Sequence, residues 1–447
     1  MRSFLPLFLL PLACAACEPP ASSTPTPPPS GAASSAPSAA APSNTGASEP
    51  ASPGLDPSRP APSNAELARI AGSSNAFAFD FYAKARAQKG NLAVSPASIH
   101  VALSMTAAGA KGDTLSQMAR VLHGEGSTEQ ILDQAGKLMQ SFDAADPKVT
   151  LRVKNRLFGD KSYSFEKPFL DRSKASFGAA LEGLDFKHDL EGSRTHINGW
   201  IAKETQDRIK DLIPAGGLVA NTRLVLTNAI YFLGDWQDPF NKDATRPAPF
   251  FTAPGASKDV PTMHQAEHFK FAAIDGVKVL EMPYVGGQLA MTIVLPDAAD
   301  GLDAVESKLS QKTFDGWIGA MKHQQVMVSL PKFEVNPQAS LSLGDILIGM
   351  GMPLAFDADK ADFTGIANPP SPADRLYISK VFHKAFVKVD EKGTEAAAAT
   401  AVVMARAGGA PMKPAEFKAD HPFLFALRDL RSGIILFMGR VSDPSTT

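Results

Sequence analysis

The segment His264-Gln265-Ala266-Glu267-His268 has the spacing H-x-x-E-H, which on a helix would set two imidazoles on one face to hold zinc. Such a site would also need a third ligand elsewhere in the chain. Val260-Pro261 before it and Phe269-Lys270-Phe271 after it favour an irregular link between strands, so no metal is expected. Ser95, Ser98 and His383, joined to an aspartate, are the residue types of a hydrolase triad, yet no G-x-S-x-G elbow accompanies them. Neither a phosphate-binding Walker loop nor G-x-G-x-x-G occurs. The sequence predicts no enzyme and no cofactor.

The stretch from Asp390 to Val403 carries a different chemistry. Gly393 permits backbone angles that other residues avoid, and from Thr394 onward the side chains are small enough to slide between two existing strands. In an extended conformation Thr394, Ala396, Ala398, Thr400 and Val402 share one face, and Glu395, Ala397, Ala399 and Ala401 the other. With the uncharged face toward a core and Glu395 toward water, no unpaired charge is buried. Propensity alone would make the alanine run a short surface helix or a loop. The glycine and the alternation also allow a hinge followed by a spare strand.

A spare strand needs a sheet to enter. The early part of the chain has helical periodicity: Asn64 to Lys89, with apolar Leu67, Ile70, Phe77, Phe81 and Ala85, then Pro96 to Gly109 and Thr114 to Leu122. Later segments alternate or run apolar as strands do: Arg223 to Phe232, Val277 to Met282, Leu289 to Leu295, Gln325 to Leu330 and Ile434 to Met438. Helices first and strands later predict an α+β architecture. No linker composition divides Asn64 to Thr447, so these residues form one large domain.

Landmarks recur along this body in a fixed order: Asn91 to Ile99, Gly109 to Thr114, Ile197-Asn198, Thr205-Gln206, Leu226 to Phe232, Gly234-Asp235-Trp236 and Phe240. Met263, Pro283-Tyr284, Pro331-Lys332-Phe333, Asp362 to Gly365, His383-Lys384-Ala385, Phe417 and His421-Pro422-Phe423 continue it. Together with the Asp390 to Val403 stretch, this order resembles the serpins, the serine protease inhibitor family, from about Asn64 to Pro444. The resemblance implies a serpin-like fold, with N-terminal helices, large mixed β-sheets and an exposed reactive-centre loop running from Thr394 to about Phe417.

The resemblance also implies roles. Glu391, Gly393, Thr394, Glu395, Ala396, Ala397, Ala398 and Ala399 form the hinge. Ser95 and Ser98 lie beneath the main sheet where it parts, although the residues by themselves would also cap a helix with Pro96 in its first turn. Asn228 and His383 form a hydrogen-bonded shutter, and Trp236 sits under the entry point of the loop. Lys332 and Glu391 bridge the loop base to the neighbouring sheet; as a surface ion pair they would be worth about 0 to 1 kcal/mol. The implied function is a suicide substrate: a protease serine attacks the loop, and the acyl-enzyme is trapped when the cut loop inserts into the sheet. Thr394 to Arg406 is 13 residues, a carry of roughly 40 Å at the strand rise.

The resemblance also implies a reactive bond at the family's usual spacing from the hinge, between Ala407 and Gly408, which suits an elastase-like protease. The alternative is Arg406-Ala407, for a trypsin- or subtilisin-like one. The second functional reading is a non-inhibitory serpin acting as a binding or carrier protein; bulky or charged hinge residues would mark it, and Thr394 with the alanine run argues against it.

With 44 basic and 46 acidic side chains, net charge -2 and 44% hydrophobic residues in 447, the chain suits a soluble globular protein, and a monomer is expected. No Lys/Arg cluster points to nucleic acid or another polyanion. Residues 1–17 have a leader pattern, with Arg2 before an apolar run from Phe4 to Ala13. Leu12 to Cys17 resembles a bacterial lipoprotein processing site in which Cys17 would carry the lipid; Cys14 departs from that pattern, and ordinary secretory cleavage after Ala16 is the alternative. Residues 18–63 are almost wholly Ala, Ser, Pro, Thr and Gly with few large apolar side chains, and are expected to be a disordered tether. The expected place is extracellular or on the cell envelope, held by lipid at Cys17 or free. No cysteine follows Cys17, so no disulfide braces the body.

Overall fold

The computed structural model describes residues 61–124, 127–143, 149–178, 181–337, 339–394 and 413–446. The chain begins with α1 (Asn64–Ala85), β1 (Leu92–Val94), α2 (Pro96–Ala107), α3 (Gly112–Val121) and α4 (Thr128–Asp143). There follow β2 (Val149–Asp160), α5 (Lys167–Phe177), β3 (Leu181–Leu184), α6 (Leu190–Glu204) and β4 (Leu224–Asp235). Next come β5 (Arg246–Ala253), β6 (Ala256–Ile274), β7 (Val277–Pro283), β8 (Leu289–Pro296), α7 (Leu302–Lys308) and α8 (Gln311–Ala320). After β9 (Lys322–Pro331), β10 (Phe333–Val335), β11 (Leu341–Ser342) and α9 (Gly344–Met350), the chain forms β12 (Lys380–Val389) and β13 (Gly393–Thr394). It closes with β14 (Ala415–Lys418), β15 (Phe423–Asp429) and β16 (Ile435–Val441).

Local chemistry sets the first helices. Ser63 caps α1 reciprocally with Glu66: the Glu66 N–H donates to Ser63 Oγ (3.3 Å) and the Ser63 N–H to Glu66 Oε2 (3.0 Å). Leu67, Ile70, Phe77, Phe81 and Ala85 form its buried stripe. Ser95 caps α2, Pro96 takes the first turn where its missing N–H is harmless, and every residue from Pro96 to Ala107 is buried. α2 is therefore an axial helix that other elements surround.

Among the described residues the strands form two sheets. One has nine strands in the order β1-β16-β15-β8-β7-β6-β9-β14, with β5 on β6. The other has seven, in the order β10-β12-β13-β4-β2-β3, with β11 on β12. A large core fills the space on the α2 side of the seven-stranded sheet, and includes Leu224, Leu226, Ile230 and Phe232 of β4. A smaller cluster on its opposite face packs Ile197, Trp200 and Ile201 of α6 against Phe158, Val225, Ala229 and Phe382. β4 is thus covered on both faces, which is why it is a nearly continuous apolar run.

The expected link at His264–His268 is instead the middle of β6, which pairs with β9 from Thr262↔Pro331 to Phe271↔Lys322. Met263, Phe269 and Phe271 are buried, and that two-residue alternation outweighs Pro261, whose carbonyl still accepts from the Lys332 N–H (2.8 Å). In a strand His264 and His268 lie roughly 13 Å apart, with Glu267 on the other face. The helical zinc arrangement cannot form there, and among the described residues no group of three metal-ligating side chains occurs.

Candidate functional site: a hinge seated between two central strands

β12 and β4 run parallel and pair over seven rungs, from Lys380↔Val225 to Phe386↔Tyr231. Above the last rung β13 stands between them: Thr394 pairs with Val389 of β12 and with Gly234 of β4, and Gly393 with Asp235. Continuing the β12–β4 register by three residues sets Val389 opposite Gly234. Thr394 therefore occupies an existing rung, and the hinge has entered without slipping the register.

A tight turn delivers it. The Lys392 N–H donates to Asp390 Oδ1 (2.9 Å) and the Asp390 N–H to the Gly393 carbonyl (2.9 Å). Trp236 lies directly beneath: its backbone N–H donates to the Lys392 carbonyl (2.7 Å) and its indole Nε1–H to that of Asp390 (3.1 Å). Gly393 is nearly extended at φ 158°. Side chains rarely adopt that angle, and space excludes one as well, since a Cβ would run into the Gly234 carbonyl oxygen and lie 2.8 Å from Asp235 Cα. Thr394, expected as the start of an exposed loop, is 1% exposed. Its hydroxyl is 2.7 Å from the Tyr284 phenol, whose ring stacks on Trp236 with centroids 4.5 Å apart.

Glu391 also departs from expectation. Rather than half of a surface pair it is buried, with its carboxylate accepting from Lys332 Nζ (2.9 and 3.2 Å) and from Thr245 Oγ1 (2.9 Å). Burial pushes its pKa up, but the Lys332 and Thr245 hydrogen bonds outweigh that and hold the carboxyl below its ordinary value. An enclosed carboxylate needs its partners far more than a surface one does. Thr245 has no sequence signal: it is 146 residues from Glu391, and only the fold brings it there.

Halfway down the paired rungs the same two strands carry a buried polar chain. The Ser95 N–H donates to His383 Nε2 (3.1 Å), so the proton is on Nδ1, which donates to Asn228 Oδ1 (3.0 Å). Asn228 Nδ2 in turn donates to the Ser98 carbonyl (3.0 Å) and to Asn155 Oδ1 (2.5 Å), and touches Ser98 Oγ. Ser95 Oγ donates to the Leu436 carbonyl (2.6 Å). His383, Asn228 and Asn155 are direct neighbours across β12, β4 and β2. Asn155 was not singled out from sequence, yet it had a signal: it is the lone amide in the inward series Val149, Leu151, Val153, Asn155, Leu157. Complete burial of His383 pushes its imidazole down to about 3.

The structure thus brings Ser95, Ser98, Asn228 and His383 into one cluster, and Trp236, Lys332, Glu391, Gly393 and Thr394 into another on the same strand pair. Cys17, Glu395, Ala396, Ala397, Ala398, Ala399, Arg406, Ala407 and Gly408 lie outside the described residues.

The family model described as Serpin (serine protease inhibitor) matches residues 72–444. Antithrombin-III of Mus musculus is 37% identical over 402 residues, covering 88% of this chain and 85% of that protein. Leukocyte elastase inhibitor of Homo sapiens is 36% identical over 389 residues, covering 85% of this chain and all of that protein. Among solved structures, Serpin48 of the insect Tenebrio molitor superposes with a TM-score of 0.74 at 31% identity, covering 84% of this chain and 98% of the other.

The neutral, enclosed His383 has a consequence for acid. Its folded-state pKa of about 3 lies below the ordinary value of 6.5. As pH falls the unfolded chain therefore takes up the proton first, and stability is lost progressively from about pH 6.5 toward 3. His100, held at about 4 by burial, acts in the same direction. Calorimetry from pH 7 to 4 is expected to show a falling melting temperature for the native chain and a shallower fall for His383→Gln. Equal slopes would remove His383 from this role.

Proposed function

This chain belongs to the serpin family, and we propose that it inhibits serine proteases as a suicide substrate, trapping the acyl-enzyme by drawing its cleaved loop into the gap between β12 and β4. The observation that carries this reading is the seated hinge. Thr394 already makes a rung between the two strands, in the register that the rest of the insertion would follow. The target serine attacks a loop bond and forms an ester, and the severed loop is no longer held at its far end. Ladder formation then continues from Thr394 downward. Each new rung replaces one line of β12–β4 hydrogen bonds by two, and moves the attached protease along the sheet before water can release it.

Extending the register shows what each position must supply. Ala396 would fall between Val387 and Phe232, and Ala398 between Ala385 and Ile230, where larger side chains would crowd an inner face that is already packed. Ala397, Ala399 and Ala401 would face the α6 cluster, where alanine adds least bulk. Thr400 would arrive between His383 and Asn228. Insertion must break the bond between those two, leaving a buried N–H donor and a buried carbonyl acceptor; a hydroxyl can accept from the first and donate to the second. Met404 would reach Leu224, the first residue of β4, so the insertion path ends near the loop's cleavage site.

We take Ala407-Gly408 as the reactive bond and Arg406-Ala407 as its alternative, with an elastase-, trypsin- or subtilisin-like protease as partner. We read the molecule as an inhibitor and not a hydrolase; the hydrogen bonds within its buried serine–histidine cluster support that reading. We further read residues 1–17 as an export leader, Cys17 as a lipid-bearing residue, and 18–63 as a tether that stands a monomeric inhibitor off a membrane at the cell envelope or outside the cell.

Incubating the purified chain with elastase, trypsin and subtilisin is expected to give an SDS-resistant band at the summed mass, and loop cleavage is expected to raise the melting temperature. Clean cleavage with no such band and an unchanged melting temperature would refute the proposal. Thr394→Arg would bury a guanidinium against Tyr284, so the hinge is expected to be expelled and the protein to be cleaved without trapping. Thr400→Val keeps the volume but orphans His383 Nδ1–H and Asn228 Oδ1 after insertion, at about 1 to 3 kcal/mol for each unpaired group. Its intact form is expected to melt as the native chain does, and its cleaved form at a lower temperature than cleaved native protein.

A further inference from the structure

At the end of the seven-stranded sheet remote from the hinge, β2 finishes at Asp160 while β4 and β12 begin at Leu224 and Lys380. The segments leading into and out of these ends surround an open cavity of about 440 Å³, within the range of small-molecule sites, roughly 300 to 1,000 Å³. Four charged residues line it, two of each sign: Asp160 and Asp374, Arg223 and Lys187. Among the described residues none of the four forms an ion pair, although Lys161, next to Asp160, pairs with Asp185 at 2.9 Å.

Asp160 forms the inner wall. It is 2% exposed, its Oδ1 accepts from the Ser162 N–H (2.9 Å) and hydroxyl, and its Oδ2 is enclosed with no hydrogen-bond partner. A buried carboxylate without a countercharge is costly. Arg223 is the matching base. Its guanidinium lies over the Tyr163 ring (5.9 Å to the centroid) and donates to the Ala220 carbonyl at 3.4 Å, so most of its donors remain for a ligand. The two residues are neighbours, since the Asp160 N–H donates to the Arg223 carbonyl (2.9 Å), yet their side chains do not pair.

We propose that this cavity binds a small zwitterion, a free α-amino acid or a short peptide with both ends charged. An anion alone would face Asp160 and Asp374, and a cation alone Arg223 and Lys187, so a ligand of one sign is repelled as much as it is attracted. A zwitterion is attracted at both ends. Its carboxylate takes the fork of Arg223, with Lys187 at the rim, and its ammonium brings to the Asp160 end the positive charge that this enclosed carboxylate lacks.

The position of the cavity links it to the strand pair. The Tyr163 hydroxyl donates to the Asp374 carbonyl (2.8 Å) and the Glu166 N–H to the Ile366 carbonyl (2.8 Å), so the turn after β2 already holds the segment that leads to β12. A ligand between Asp160, Arg223 and Asp374 ties that segment to the foot of β4 as well. It thereby holds together the starts of the two strands that insertion must part, and slows trapping. This consequence, unlike the binding itself, rests on the insertion mechanism proposed above.

The test is titration calorimetry and thermal melting of the full chain with glycine, leucine, lysine and diglycine, each beside its N-acetyl and amide forms. At least one free zwitterion is expected to bind and to raise the melting temperature as its concentration rises, and both of its capped forms to lose that response. The amino acids against diglycine show which span fits. Arg223→Gln and Asp160→Asn are each expected to weaken binding about tenfold or more, and Lys161→Gln, outside the cavity, to leave it unchanged. Arg223 is half-buried, so its variant carries the test if Asp160→Asn does not fold. No binding of any of the four probes, equal binding of capped forms, or native affinity in Arg223→Gln would overturn the proposal. Saturating ligand is expected to lower the rate at which a protease is trapped. Binding with an unchanged rate would overturn that consequence and leave the site standing, whereas absence of any trapped complex without ligand would remove the insertion mechanism alone.

Discussion

Two neighbouring strands can be forced apart only if every backbone and side-chain group uncovered between them finds a new partner, because a buried donor or acceptor without one costs about 1 to 3 kcal/mol. That accounting governs the β12–β4 pair. Over seven rungs the strands satisfy each other directly, and three positions beyond the last of them Thr394 already satisfies both. The hinge is the point where direct pairing has already given way to pairing through a third strand. Everything beneath it is a choice between the same two arrangements, made one rung at a time.

Two devices keep the choice from being made early, and they differ in kind. At the hinge, Glu391 is tied to Lys332 and Thr245 while Trp236 holds the carbonyls of Asp390 and Lys392, so the turn is fixed from below. In the middle of the sheet, His383 and Asn228 join β12 to β4 and reach Ser95 and Ser98 of α2. That chain is saturated and enclosed, which makes it strong while the strands stay paired and expensive to leave half-made. A hydroxyl on the incoming strand is the smallest group that accepts and donates at the same point, which is the part proposed above for Thr400. The α6 cluster on the opposite face limits bulk rather than polarity, and the alanines suit it.

Much of this could be seen in the chain. The alternation of Thr394, Ala396 and Ala398 against Glu395 and Ala397 states which face is inner, and the position of Thr394 against Tyr284 agrees with it. The ranges of α1, α2, α3 and the central strands followed from apolar spacing to within a few residues. The segment at His264 did not: proline suggested a break, but β9 supplied a full ladder alongside it, and pairing outweighed local propensity. Gly393 was legible as special for its backbone angle, and the structure adds a second reason, because the backbone of β4 crowds it.

By itself the sequence determined the fold class, the family and the strand-like character of the hinge, since these depend on residue types at fixed local spacing. The tertiary structure decided what is enclosed. Whether Glu391 is a surface or a buried carboxylate, whether Thr245 and Asn155 join the two clusters, and whether Thr394 is inside or outside the sheet all depend on segments far apart in the chain meeting at one place. Local spacing is set by the period of a helix or a strand. Burial and long-range register are set by packing, which no short stretch of residues contains.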